Sequence, residues 1–142
     1  MKNIIKPLVT ALLLVTTLSS FAMEKVNPLK NLNSMSIVKT YLQATTLGNI
    51  DFNEHLFATD FQYQTTTNLE VKTNKKQYCA FLKANKGLTY DCETAYEILD
   101  ESGDCCVAKA TMKFKNFTRI DYITLCRTQG TWQVSKVVTA YP

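Results

Sequence analysis

The sequence predicts a mixed α+β domain in which helices come first and an antiparallel sheet follows. Two observations carry this prediction. Up to about residue 86, two separate segments repeat apolar residues at the three-to-four spacing of a helix. From about residue 88 to residue 141, four consecutive segments show the alternation or the short apolar runs that are typical of β-strands. Helices and strands are thus largely segregated along the chain, which favours an α+β fold.

The first 22 residues have the pattern of a secretory signal. Two lysines precede an apolar run from Leu8 to Leu18, and Ser20 and Ala22 place small residues just before a cleavage site. The apolar run is shorter than the roughly 20 residues that a membrane-spanning helix needs. We therefore expect cleavage after Ala22, no membrane insertion afterwards, and an exported protein that is periplasmic or secreted.

The remaining length, about 120 residues, suits one domain with a modest core. We predict a polar tether at residues 23–34 and the domain at residues 35–142. Of the 16 basic residues, 2 lie in the signal, so 14 stand against 12 acidic ones and the net charge is +2. This balance gives no reason to expect nucleic acid as a partner.

Disulfides are permitted in an exported chain, but the cysteines do not dictate a pairing. Five is an odd number, so at least one thiol is free or pairs between chains. The alternative is that most are small buried hydrophobes on strands. A single histidine and the lack of C-x-x-C argue against a metal site, and no motif indicates a cofactor. The cysteines are Cys79, Cys92, Cys105, Cys106 and Cys126.

Two helices are predicted to open the domain. The first is capped by Ser34 or Ser36 and ends before Gly48, which suits the left-handed position after a helix. Asp51 then caps a second, short helix that runs to Leu56.

A strand and a third helix follow. Phe61, Tyr63 and Thr65 alternate with polar residues, as in a half-buried strand. Asn74 caps the third helix, which closes at Lys86-Gly87 with a cation in its last turn and a glycine after it.

The first two strands of the C-terminal sheet are predicted to form a hairpin with a defined register. Its three-residue loop contains Gly103 in the left-handed region. That loop places Tyr96 opposite Ala108 and Asp91 opposite Lys113. Acidic and basic outer faces then meet, as cross-strand pairing favours.

The last two strands, at residues 118–127 and 131–141, are apolar on both faces, which implies that both faces are covered. One face can pack on the helices. We predict that the other face, with Ile123, Leu125 and Val137, forms a homodimer interface. The alternative is that the tether or a curled end of the sheet covers it.

The order of these elements resembles the cone-shaped fold of the nuclear transport factor 2-like superfamily. The segments Y-L-Q-A-T-T-L-G-N-I, from Tyr41, and L-F-A-T-D-F, from Leu56, are similar to that superfamily's opening. The ending D-Y-I-T-L-C-R-T-Q-G-T-W-Q-V-S-K-V, from Asp121, is similar to its SnoaL-like bacterial branch named for lumazine binding. The resemblance covers about residues 35–141. It implies three N-terminal helices packed on a strongly bent, mainly antiparallel sheet around a conical, mostly apolar pocket.

The resemblance also implies where relatives would place catalytic groups. Tyr41 falls where ketosteroid isomerases have their oxyanion-stabilising tyrosine, and their protonated aspartate falls at Asp121 or Tyr122. Their catalytic base falls on Thr65, whose hydroxyl is a far weaker base than a carboxylate. We therefore predict no catalytic residue.

Several aromatic and hydroxyl side chains could converge between the helices and the sheet, as in a small-molecule pocket. The alternative is a plain core in which tyrosines keep their hydroxyls at a wet edge. The predicted lining consists of Tyr41, Tyr63, Thr65, Tyr78, Tyr96, Phe114, Tyr122 and Trp132.

Together these features predict an exported, non-catalytic domain that binds a small apolar or aromatic molecule. One alternative is a lyase or isomerase of the polyketide-cyclase kind, which would use a tyrosine with Asp121, or His55 with Asp51 or Asp60. Another is a protein-interaction module that dimerises through the apolar face described above.

Overall fold

The computed structural model of the protein describes residues 26–142. The predicted signal, residues 1–22, and the start of the predicted tether lie outside the described residues. None of the described helices is long and apolar enough to cross a membrane. The elements in chain order are α1 (Ser34–Thr46), α2 (Asn53–Leu56), β1 (Phe57–Thr65), β2 (Asn68–Asn74), α3 (Lys75–Ala84), β3 (Glu93–Ser102), β4 (Cys105–Lys113), β5 (Thr118–Thr128) and β6 (Thr131–Ala140).

One open six-stranded sheet forms the body of the domain, with the strand order β2-β1-β6-β5-β4-β3. Neighbouring strands are antiparallel except β1 and β6, which run parallel. This architecture confirms the predicted α+β class. The prediction of three N-terminal helices is not confirmed, because α3 comes after β1 and β2 in the described chain.

Strand β2 was not predicted, because it carries no buried face. Its apolar residues Leu69 and Val71 are 54% and 60% exposed, and it lies at the edge of the sheet. Its one partner in the sheet is β1. An exposed edge strand lacks the burial pattern on which sequence reasoning depends.

Helix α1 lies on the core through Ile37, Val38 and Tyr41, all fully buried. Its N-cap is Asn33, whose side chain accepts a hydrogen bond from the Ser36 amide at 2.9 Å, so neither Ser34 nor Ser36 is the cap. The predicted C-terminal glycine, Gly48, has φ +65. A Cβ added there would lie 2.4 Å from the amide nitrogen of Gly87, so the backbones of two loops meet at this point.

The other two helices differ in how well their caps were predicted. Asn74 does cap α3, and a capping box with Gln77 completes that helix start. Asp51 does not cap α2, because the N-cap position is Phe52, which makes no side-chain capping bond. Helix α2 has only one turn and ends directly at β1.

The hairpin of β3 and β4 has the predicted faces but not the predicted register. Tyr96 lies opposite Ala110 rather than Ala108, because the turn contains only two residues, Gly103 and Asp104. This turn is shorter than the predicted loop at residues 101–103 and also lies later in the chain, and together these differences would shift the pairing by three residues and reverse the faces. A bulge at Leu99 reduces this shift by one residue. The net shift is therefore two residues, and each side chain stays on its predicted face.

The predicted charge pairing of this hairpin also survives the shift. Glu93 lies opposite Lys113 and Glu97 opposite Lys109, where the sequence prediction had Asp91 opposite Lys113. Acidic and basic side chains therefore still meet across the two strands, because a shift of two residues keeps each side chain on its face.

The hairpin of β5 and β6 contains a second bulge, at Ser135, which changes the face of the residues after it. Val134 and Val137 therefore both point into the core, although a regular strand would place them on opposite faces. Ile123, Leu125 and Val137 are all 0% exposed. The face predicted as a homodimer interface is thus the core face of the sheet, and a partner cannot reach it while the domain stays folded.

The described part of the predicted tether is attached to the domain. Leu29 is 2% exposed and belongs to the hydrophobic core. The Asn27 side chain accepts from the amide of Leu29 at 2.9 Å, which fixes the turn that carries it. This segment therefore does not hang free, because its apolar anchor is buried with the side chains of α1 and the sheet.

Candidate functional site

The centre of the domain holds a buried polar network where α1 crosses the sheet. The helical spacing that buries one face of α1 directs Tyr41 inward, and alternation along β5 directs Asp121 inward. The Tyr41 hydroxyl donates to Oδ2 of Asp121 at 2.7 Å, and both residues are 0% exposed. Tyr41 therefore meets Asp121, one of the two residues at which the isomerase resemblance could place the protonated aspartate.

Asp121 accepts four hydrogen bonds, two on each carboxylate oxygen. Oδ1 accepts from Nε of Arg119 at 2.9 Å and from the Thr139 hydroxyl at 2.6 Å. Oδ2 accepts from Nη2 of Arg119 at 2.9 Å and from the Tyr41 hydroxyl at 2.7 Å. A carboxylate has about four acceptor positions, so Asp121 has none left for a substrate proton.

A second tyrosine extends this network toward α3. The Tyr41 and Tyr78 hydroxyl oxygens are 3.4 Å apart. Because the Tyr41 proton points to Asp121, Tyr78 is the donor of this longer contact. Burial and then the negative charge of Asp121 raise the pKa of Tyr41 well above its usual value. Burial also raises the pKa of Tyr78, so both phenols stay protonated at neutral pH and act as donors, not bases.

Arg119 is the one charged partner of Asp121, and its fork grips the carboxylate through two parallel bonds. Burial alone would lower the pKa of Arg119, but Tyr41 and Asp121 more than offset this and raise it. The side chain is 14% exposed. Within residues 26–142, the third nitrogen of Arg119, Nη1, donates no hydrogen bond. It is also not one of the buried polar atoms that lack a partner, so it is accessible to solvent. One edge of the guanidinium therefore remains open.

Three aromatic residues lie near Arg119 by their places in the sheet, and we call Tyr63, Phe117 and Tyr141 the aromatic rim. Phe117 lies two residues before Arg119, and Tyr141 follows the end of β6, whose Ala140 pairs with Ile120. Burial raises the pKa of Tyr63, whereas the positive charge of Arg119 opposes that rise. Tyr63 is therefore close enough to Arg119 to interact with its charge. Phe117 and Tyr141 are 50% and 51% exposed.

Two members of the rim stack on other aromatic side chains. The rings of Tyr63 and Tyr78 stack with centroids 5.0 Å apart and planes 25° apart. Those of Phe114 and Phe117 stack at 4.4 Å and 10°. The rim is therefore packed against other aromatic side chains, although Phe117 and Tyr141 are exposed to solvent.

The structure brings together Tyr41, Tyr63 and Tyr78 of the predicted pocket lining, keeps Phe114 in contact with the rim, and separates the other four. Tyr96 lies on the edge strand β3, in a surface groove of about 240 Å³ beside α1. Phe114 stacks on Phe117 of the aromatic rim.

The remaining three residues of the predicted lining face other regions. The Thr65 hydroxyl contacts that of Thr67 at the β1–β2 turn, at 3.1 Å. Tyr122 is 39% exposed on the sheet face opposite Asp121. Trp132 lies at the start of β6, opposite Arg127 of β5, whose guanidinium is 5.0 Å from its ring centroid.

Sequence reasoning missed Arg119 and Thr139, which complete the network. Arg119 stands two residues before Asp121, so both share a face of β5, and this spacing could have predicted their contact. Thr139 could not have been found in this way, because the bulge at Ser135 decides which face it occupies.

The other predicted catalytic grouping does not form. Within the described residues, no salt bridge or side-chain hydrogen bond joins His55 to Asp51 or Asp60. Only the backbone of His55 is bonded: its carbonyl accepts from the Gln133 side chain at 3.0 Å, and its amide donates to the Phe52 carbonyl at 3.0 Å. Likewise, residues 26–142 contain no group of three His, Cys, Asp or Glu side chains that could hold a metal ion.

A cavity with a mainly apolar lining lies away from the polar network. It has a volume of about 580 Å³ between α2 and the start of α3, and it includes Asn53 and Lys75. Among residues 26–142, Oδ1 of Asn53 is the one buried side-chain polar atom that has no hydrogen-bond partner. Within the network Tyr41, Asp121 and Thr139 are 0% exposed, whereas the Arg119 side chain is 14% exposed, so the network reaches solvent at Arg119.

The fold and the position of this network define a domain of the nuclear transport factor 2-like class. One similar solved structure is a nuclear transport factor 2-like protein of unknown function from Silicibacter pomeroyi, with 17% identity, TM-score 0.63, and coverage of 76% of this chain and 92% of that one. Another, from Cytophaga hutchinsonii, has 14% identity, TM-score 0.64, and coverage of 78% and 100%. A ketosteroid isomerase-like protein from Erwinia carotovora atroseptica has 14% identity, TM-score 0.58, and coverage of 75% and 92%.

Within that class the sequence assigns a family. The model of the family described as "Putative lumazine-binding" matches residues 33–139, and the chain belongs to this family. The predicted recognition of the superfamily and of this branch is therefore confirmed. No curated protein matches the chain.

Proposed function

We propose that this chain is an exported, non-catalytic domain that binds a small aromatic molecule with a negatively charged group. The observation that carries the proposal is the open edge of Arg119, a largely buried and fixed cation that the strand register places beside the exposed side chains of Phe117 and Tyr141. The charged group would bond to Nη1, and the ring would pack against the aromatic rim.

The geometry of Arg119 suits an anion because the protein has already ordered the guanidinium. Asp121 neutralises the charge but bonds only to Nε and Nη2, so Nη1 keeps its donors. An arginine held in this way loses little side-chain entropy when it binds a ligand. A carboxylate, sulfonate or phosphate is the acceptor that arginine prefers.

The aromatic rim suits a planar ring. Phe117 and Tyr141 have centroids 6.2 Å apart, with about half of each side chain exposed. Exposed aromatic groups beside a few fixed polar donors are typical of small-molecule sites. A ring that packs on them would remove apolar surface from water and gain aromatic contacts.

The absence of a free base supports a binding role over catalysis. The hydroxyl of Tyr41, which an isomerase would aim at a substrate oxygen, is bonded to Asp121. Asp121 is fully bonded and buried, and Thr65 stands where the isomerase resemblance puts the base. Proton transfer needs an accessible group of suitable pKa, and the network offers none.

Export is the part of the proposal that the N-terminal sequence supports. We expect the mature protein, isolated from the cell that makes it, to begin at Met23. N-terminal sequencing of the periplasmic or secreted fraction tests this, and a cytoplasmic protein that retains Met1 would remove export from the proposal.

Ligand binding is tested with two probes that share a ring and differ in charge, 2-naphthoate and 2-naphthamide. We expect the naphthoate to bind at least about tenfold more tightly, since it alone has an anion for Arg119. Amide signals of Phe117, Arg119 and Tyr141 should shift in a nuclear magnetic resonance titration. Added salt should weaken the binding of 2-naphthoate and leave the binding of 2-naphthamide unchanged.

Matched variants locate the site. Phe117→Ala and Tyr141→Ala should each weaken binding of naphthoate, whereas Tyr122→Ala, a partly exposed ring on the other face of the sheet, should not. Equal affinity for the two probes, or no binding by a protein whose spectrum shows it folded, would overturn the proposed function.

The enzyme alternative makes a different prediction about turnover. An isomerase of the ketosteroid kind would move the double bond of a Δ5-3-ketosteroid, which can be followed by ultraviolet absorbance. We expect no conversion above the rate in buffer. A measurable rate that Tyr41→Phe abolishes would replace the binding role with catalysis.

A further inference from the structure

Two of the five cysteines lie directly opposite each other in the sheet. Cys105 begins β4, and its partner in the ladder with β5 is Cys126. The other three occupy separate places: Cys79 lies on α3, Cys92 precedes β3, and Cys106 points to the opposite side of β4. The ladders therefore pair no other two cysteines.

The hydrogen-bond pattern shows which kind of pair this is. The amide of Arg127 donates to the carbonyl of Asp104 at 2.9 Å, so Asp104 and Arg127 form a hydrogen-bonded pair. Pairs alternate along an antiparallel ladder, so the next one, Cys105 and Cys126, is non-hydrogen-bonded. Such pairs have Cα atoms about 4.5 Å apart, the closest approach that a sheet offers. Disulfides span Cα separations of roughly 4.4 to 6.8 Å.

Both thiols lie on the outer face of the sheet, where a reagent can reach them. Cys105 is exposed and Cys126 is half-buried, whereas Cys106 is 1% exposed and belongs to the core. Sγ of Cys126 now contacts the Ser135 hydroxyl at 3.4 Å, on the side of β6. A rotation about χ1 would bring it toward β4, and this contact is weak enough to give way.

We propose that Cys105 and Cys126 form a disulfide across β4 and β5. The oxidant is a disulfide compound such as oxidised glutathione. The Cys105 thiolate attacks one of its sulfurs, forms a mixed disulfide and releases one glutathione thiolate. The Cys126 thiolate then attacks Sγ of Cys105, closes the protein disulfide and releases the second glutathione. Two protein thiols are oxidised, and one glutathione disulfide is reduced to two thiols.

The other cysteines are poorly placed to compete. Burial raises the pKa of Cys106, and it also raises the pKa of Cys79 and of Cys92, so less of each is present as the reactive thiolate. Cys106 additionally faces the core, so the sheet itself separates it from Cys126.

The disulfide is independent of the proposed ligand site. Cys126 lies seven residues beyond Arg119 on β5, a distance of about 23 Å along a strand. Failure of the disulfide would therefore leave the ligand proposal untouched, and loss of ligand binding would leave the disulfide untouched.

The test treats the folded, purified protein with oxidised glutathione and maps its disulfides by mass spectrometry after trypsin digestion. Cys105 falls in fragment 87–109 and Cys126 in fragment 120–127. We expect these two fragments to be joined, together with the loss of two thiols. The bond closes a loop of about 20 residues, so the midpoint of thermal unfolding should rise by about 5–15 °C.

Matched variants identify the cysteine, because fragment 87–109 also contains Cys92 and Cys106. Cys105→Ala should abolish the joined pair, whereas Cys106→Ala, one residue away on the core face, should keep it. The proposal is overturned if the folded protein forms no joined pair, if it stops at a mixed disulfide with glutathione on Cys105, or if Cys105→Ala leaves the joined pair intact.

Discussion

Strand β5 carries two arginines that make the same contact in opposite surroundings. Nε of Arg119 lies 2.9 Å from Oδ1 of Asp121, and Nε of Arg127 lies 2.9 Å from Oδ1 of Asp104. The first pair is 14% and 0% exposed, and the second is 41% and 73% exposed. Distance alone therefore does not tell what either pair contributes.

The difference shows that burial and neighbours decide the role of an ion pair. Around Asp121, tyrosine and threonine donors complete the bonding of a carboxylate that water cannot reach. Breaking such a pair leaves an uncompensated charge in the core. Around Asp104, water solvates both groups, and salt screens them. The buried pair can thus hold a site in place, whereas the exposed pair adds little stability.

The largest expected effect comes from removing the buried negative charge. Asp121→Asn puts an amide where four donors converge, and it leaves Arg119 without its counter-charge. We expect the free energy of unfolding to fall by about 3–5 kcal/mol, measured by urea denaturation at pH 7. A variant that unfolds within about 1 kcal/mol of the wild type would contradict the role given to this pair.

Removing one donor from Asp121 should have a smaller effect. Tyr41→Phe keeps the buried ring and deletes the hydroxyl that lies 2.7 Å from the carboxylate. Bonds to charged groups contribute about 1.5–3 kcal/mol, and we expect a loss of that size in urea denaturation. Tyr122→Phe, the matched change on the outer face, should alter the free energy of unfolding by less than about 0.5 kcal/mol. Equal effects of the two changes would refute the special role of Tyr41.

The two ends of β5 also show what the sequence could predict. The family resemblance indicated Tyr41 and either Asp121 or Tyr122, and the contact that is observed joins Tyr41 to Asp121 at 2.7 Å. Arg119 was missed because a charged residue on a strand is expected to face water, and only the i, i+2 spacing to Asp121 indicates otherwise.

Bulges account for the main errors in the predicted sheet. Alternation was correct for β4, where Cys106, Ala108 and Met112 are buried as expected. It failed after Ser135, where one extra residue turned Val137 into the core, opposite Ile123. A bulge has no clear sequence signal, because it depends on how two strands pair in space.

Alkaline pH should weaken the buried network in a defined direction. Burial raises the pKa of Tyr41, Tyr63 and Tyr78 above the usual value for a phenol. Above about pH 10 the unfolded chain loses these protons while the folded protein keeps them, so the free energy of unfolding falls as pH rises. Each phenol contributes a slope of up to about 1.4 kcal/mol per pH unit.

Urea denaturation between about pH 9 and pH 11 measures this slope, and Tyr78→Phe isolates one phenol within it. The difference in unfolding free energy between wild type and variant should shrink as pH rises, because only the wild type has that proton to lose from the unfolded chain. A difference that stays constant across this range would mean that Tyr78 titrates normally in the folded protein.

The smallest expected effect concerns the exposed pair. Asp104→Asn keeps the shape of the side chain and removes its charge, while Arg127 keeps its place 5.0 Å from the ring centroid of Trp132. We expect a loss of at most about 1 kcal/mol in urea denaturation, and less in high salt. Arg127→Ala should cost somewhat more than Asp104→Asn, since it also removes the contact with Trp132. If Asp104→Asn were as harmful as Asp121→Asn, equal distances would mean equal contributions after all, and burial would not be what separates the two ends of β5.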